Sequence, residues 1–133
     1  MKSRDTLIRL KKFQAEEKAR RVAQIEAMIA EFTRMIGNLD RDIAIEEQRS
    51  GNADPSHFAY STYARASRVR RDNLQNSIAE LRDQAEDARI LHTEAIEELK
   101  KAENLDGREK ALERLPEMVR PDMDVMGLRP ARI

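Results

Sequence analysis

The feature that most limits how this chain can fold is a run of apolar residues at Val22, Ile25, Ile29, Phe32, Ile36, Leu39 and Ile43, spaced alternately three and four apart. That spacing holds one stripe on one side of an α-helix, and the stripe needs a second helix to cover it. With Val22 at heptad position a, Ile29, Ile36 and Ile43 also fall at a, while Ile25, Phe32 and Leu39 fall at d. Residues 4 to 49 contain a single glycine, Gly37, and no proline, so nothing in them interrupts a helix. Upstream the stripe weakens, because Leu7, Leu10 and Phe13 are out of phase with it and Ala15, Lys18 and Ala19 carry little apolar bulk.

A matching stripe lies further along, at Leu74, Ile78, Leu81, Ala85, Ala88, His92, Ala95, Leu99 and Ala102. Between the two stripes, Gly51-Asn52 is a turn signal. Asp54-Pro55 reads as a helix start, with the carboxylate accepting unpaired N–H groups and proline filling a position that needs no N–H. The expected fold is all-α, a long two-helix antiparallel coiled-coil hairpin over residues 1–115. Helix one should span about 4–49, the turn 50–54 and helix two about 55–115, with residue i facing a position near 104 − i. Gly107 is expected to loosen the second helix locally and Pro116 to stop or kink it. Residues 116–133 read as a mobile C-terminal tail; its methionines and Leu128 leave open a frayed end or a short docking peptide.

Charge placement favours the antiparallel pairing. Residues 1 to 21 hold eight basic and three acidic side chains, whereas 83 to 102 hold six acidic and three basic ones. Nearer the turn, the six acids and two bases of residues 22 to 47 face Arg65, Arg68, Arg70 and Arg71. Each surface pair contributes only a few tenths of a kcal/mol, roughly, but several together disfavour slipped or parallel arrangements.

Across all 133 residues, 38% are charged and 4% aromatic, with no tryptophan, a balance suited to long helices and poor for a core that encloses a catalytic pocket. The formal charge is zero, so no global field draws the chain to nucleic acid or anionic lipid. The basic clusters at Lys11-Lys12, Lys18 to Arg21 and Arg65 to Arg71 have acidic partners within the hairpin and no interleaved aromatics for base stacking, so nucleic acid is not expected as a partner. The absence of cysteine excludes disulfides and thiolate metal sites. No apolar run of membrane-spanning or signal-peptide length occurs, so a soluble, cytoplasmic chain is expected. His57, expected in the first turn of helix two, and His92, within the second stripe, lack neighbours at metal-ligand spacing. No phosphate-binding glycine loop, carboxylate pair or nucleophilic triad appears. The reading is a non-enzymatic chain without metal or cofactor.

Apolar residues outside the stripes are the candidate partner-binding positions. Met28 and Met35 occupy g positions beside Ile29 and Ile36; Phe58, Tyr60 and Tyr63 gather near the turn; Leu7, Leu10 and Phe13 lie at the other end of the hairpin. Ile90, Leu91 and Ile96 also leave the a/d line of helix two. Extra core packing and partner docking both account for such residues, and flexible methionines suit adaptable surfaces.

The segments Leu10-Lys-Lys-Phe-Gln-Ala-Glu-Glu-Lys-Ala-Arg-Arg-Val-Ala-Gln-Ile-Glu26, Met28-Ile-Ala-Glu-Phe32 and Asp54-Pro-Ser-His-Phe-Ala-Tyr-Ser-Thr-Tyr-Ala64 resemble the flagellar export protein FliJ family of alphaproteobacteria. The likeness extends over most of residues 1 to 115. Its most distinctive part is Asp-Pro-x-His-Phe-Ala-Tyr, because a coiled coil does not itself require that aromatic turn. The resemblance implies a small cytoplasmic component of the flagellar type III export apparatus, peripheral at the cytoplasmic face of the inner membrane through its partners. Those partners would be the hexameric flagellar export ATPase, which it would bind and stimulate, the membrane export gate and the export chaperones. The other classes in view are a chaperone or escort for export substrates and a structural coiled-coil dimer.

Overall fold

Heptad-spaced residues select the helices, and the computed structural model, which describes residues 2–118, contains two: α1, Lys2–Ser50, and α2, Thr62–Met118. They pack against each other as an all-α helical hairpin. The described residues fall into two compact units, one formed by 2–16 with 93–118 and the other by 17–92.

The unit of 17–92 holds the main apolar core. Ile25, Leu81, Ala85 and Ala88 are buried together, with Val22, Ile29 and Phe32 packed on them. Large side chains on α1 thus meet alanines on α2, which lets the backbones approach closely. Leu39, Ile43, Ala64, Ser67 and Ile78 continue the buried series toward the loop. On α2 the covered positions 64, 67, 71, 74, 78, 81, 85 and 88 alternate three and four without a break. The stripe therefore begins ten residues before Leu74, at Ala64, through small or polar members that hydrophobicity alone does not reveal.

In the unit of 2–16 and 93–118, Ile8, Lys11 and Ala15 continue the α1 stripe toward Arg4, and Ala95, Leu99, Ala102 and Asp106 continue that of α2. The end of this stripe is ionic. Arg4 Nε lies 3.2 Å from Asp106 Oδ1, Glu109 and Glu113 take the two terminal nitrogens, and Lys110 reaches the second Asp106 oxygen at 3.1 Å. Leu7, Leu10 and Phe13 stay exposed, as their phase requires.

Three boundary expectations are corrected. The connection is 51–61 rather than 50–54, and α2 starts at Thr62 rather than near Pro55, so His57 lies in the loop and not in a helix. α2 runs through Gly107, as its expected span has it, but Pro116 does not stop it, and it continues to Met118; the expected mobile tail beyond that lies outside the described residues. The longer loop also shifts the register. Arg4 faces Asp106, Lys11 faces Glu98, Glu26 faces Arg89 and Asp40 faces Arg71, so residue i meets a position near 110 − i, not 104 − i.

Candidate protein-binding surface

The loop is built from side-chain-capped turns. α1 ends at Gly51, whose φ of 75° lets its N–H turn back to the Glu47 carbonyl at 3.0 Å. Asn52 Oδ1 accepts the Asp54 N–H, and Asp54 Oδ1 accepts both the N–H and the hydroxyl of Ser56. Those donors, the Ser56 hydroxyl first, hold the Asp54 carboxyl below its ordinary value. Pro55 occupies the first corner of a turn closed by His57 N–H to the Asp54 carbonyl. His57 Nδ1 then accepts the Ala59 N–H, its carbonyl accepts the Tyr60 N–H, and its ring stacks on Phe58 with centroids 4.7 Å apart.

Ser61 is the residue that starts α2. Its hydroxyl oxygen accepts the Ala64 N–H at 3.2 Å, and the same hydroxyl donates to Glu46 at 2.9 Å. Asp54-Pro55, which has the composition of a helix start, instead opens the first loop turn. Arg65 secures the loop from the helix side, donating to the carbonyls of Pro55 and His57 and lying over the Tyr60 ring.

The structure sorts the candidate residues by exposure. Phe58 is 94% exposed, and Leu7, Leu10, Phe13, Met28, Met35 and Tyr63 all remain open to solvent. Tyr60 does not: it is 4% exposed, and its hydroxyl donates to Glu47 at 2.5 Å. Burial, and then that carboxylate acceptor, raise its pKa above the ordinary phenol value. Tyr60 therefore anchors the loop instead of presenting a surface. Ile96, off the a/d line in the sequence, is half-buried.

Four exposed apolar residues had not been singled out: Ile45, Val69, Leu105 and Leu112; Ile90 and Leu91, already off the a/d line, are exposed as well. With Ala85 at a and Ala88 at d, Leu91, Leu105, Leu112 and Tyr63 all fall at g of α2, the position that Met28, Met35 and Leu7 hold on α1. Extending the heptad letters across both helices is the signal that finds them. The groove lined by Glu17, Lys18, Arg21, Ala88 and Leu91 follows this same g side.

Of the basic stretch near the loop, Arg65, Arg68 and Arg71 are taken up internally, and Arg70 is exposed. Arg71 donates to Asp40 at 3.2 Å, which raises its pKa further, and Arg68 lies 3.5 Å from Glu47. No group of three or more potential metal ligands gathers among the described residues, and no described helix is long and apolar enough to cross a membrane. The chain matches no protein-family model, no curated protein and no solved structure.

Proposed function

We propose that this chain is a non-enzymatic coiled-coil component of the flagellar type III protein export apparatus, which binds and stimulates the export ATPase and links it to the membrane export gate. The chemistry belongs to the ATPase; this chain acts by binding one of its conformational states better than another. The observation that supports the reading is the loop. A helical hairpin needs only a short turn, yet Asp54-Pro-Ser-His-Phe-Ala-Tyr60 spends its residues on nested turns that leave Phe58 exposed. That segment is also the most distinctive part of the resemblance to the FliJ family.

The test is ATP hydrolysis by the export ATPase of the same organism, measured across a concentration series of this chain. Saturable stimulation is expected. Hydrolysis that stays at its basal rate throughout the series overturns the proposal.

A further inference from the structure

The unit of 17–92 has two unlike sides. On the e side of the paired helices, charges meet across the interface: Glu26 with Arg89 at 3.0 Å and Glu47 with Arg68 at 3.5 Å. No large apolar side chain of this unit is exposed there. On the g side, Met28 is 44% and Met35 37% exposed; Leu91, 48% exposed, lies beyond them, where Lys18 and Arg21 line the groove. Between and opposite the methionines the g positions are Ser77 and Gln84, so the middle of this groove carries no charge at g. Its rim, the adjoining c positions, does. Glu31, Glu80 and Asp87 are exposed, with no lysine or arginine at c or g between 24 and 38 or between 73 and 87. Glu31 is held by Arg34, whereas Glu80 and Asp87 make no ion pair within the described residues.

We propose that this acid-rimmed g-side groove is a docking site for a partner's amphipathic helix whose apolar seam is bordered by lysine or arginine. A groove between two heptad helices has the spacing to accept a third, and unbranched methionines adapt to the side chains of an incoming helix. Charge selects the occupant. A second copy packed through the same side would set Glu31, Glu80 and Asp87 against their own counterparts, and like charges across an interface disfavour it. A basic-flanked helix places opposite charge against Glu80 and Asp87, the rim acids that make no ion pair among the described residues. The inference does not depend on the export role, since it concerns which helix fits and not what the assembly does.

The test uses the full chain and two labelled synthetic peptides of about three heptads with leucine at a and d, one with lysine and one with glutamate at e and g, each kept at concentrations where it is monomeric. Fluorescence anisotropy should show saturable binding of the lysine peptide and at least about tenfold weaker binding of the glutamate peptide. The ε-methyl NMR signals of Met28 and Met35, assigned through Met→Leu variants, should shift with the lysine peptide. Met28→Lys with Met35→Lys should weaken binding by about tenfold or more with helicity retained in circular dichroism. Exposed Glu80→Lys with Asp87→Lys should invert the preference between the peptides. Equal binding of both peptides, or binding that leaves both methionine signals unmoved, overturns the proposal. So does self-association of the free chain that broadens those signals, because the groove would then belong to a second copy.

Discussion

Burial and a carboxylate act on the same hydroxyl at Tyr60. The phenol is held protonated in the fold because ionising it would place a charge in a covered position against Glu47. The sign follows directly: with the folded pKa raised, this contribution is complete below the ordinary 10.0 and is lost as pH rises through the folded value. An absorbance titration should therefore show one tyrosine ionising above 10.0 and losing helical signal as it does so. Tyr60→Phe should abolish that coupled step and, near neutral pH, cost about 1 kcal/mol, the scale of one net hydrogen bond. Ionisation of Tyr60 at the ordinary value, with the fold intact, would contradict the account. Sequence alone places Tyr60 beside Phe58 and Tyr63 as three aromatics near a turn. It does not separate them, because what distinguishes them is reach. Glu47 lies thirteen residues back on α1, and only the folded loop brings its carboxylate to one ring and not the others.

Each helix has a signal for its middle and a weaker one for its ends. The stripe from Val22 to Ile43 is legible because every member is apolar, whereas Arg4 and Lys11 hold the same phase with charged heads and read as surface. Asp106 is hidden the same way on α2. The start of α2 is ambiguous for a different reason. Asp followed by Pro suits both a helix cap and the first corner of a tight turn, and Ser61 offers a second cap seven residues later. The two assignments differ in consequence. Ser61→Ala removes both the acceptor for the Ala64 N–H and the donor to Glu46, and should cost about 1 kcal/mol in chemical denaturation. Asp54→Ala disturbs only exposed turns, so its denaturation midpoint should stay closer to that of the parent chain. A larger loss from the Asp54 change would return the cap to Asp54-Pro55.

For the whole molecule the decisive quantity is register, because it determines which residues of α1 and α2 form each side of the hairpin. Fold class and antiparallel pairing follow from two stripes and opposed charges, but register depends on loop length, and a loop misjudged at its far end shifts every pair. The shift can be read chemically. Ile29 packs on the core that contains Leu81, while the shorter loop would have set it near Gln75. The chain has no cysteine, so introduced pairs report without background. Under mild oxidation, Ile29→Cys with Leu81→Cys should form an intramolecular disulfide, seen as faster migration on a non-reducing gel at unchanged mass. Ile29→Cys with Gln75→Cys should remain reduced, because about six residues of helix separate position 75 from 81, some 9 Å of rise, and a disulfide spans under about 7 Å between Cα atoms. Efficient closure of the 29–75 pair would restore the shorter turn. It would also dismantle the g-side groove, since Met28 and Met35 would then face different residues of α2. Disulfides formed only between chains would show instead that helix one pairs with another copy.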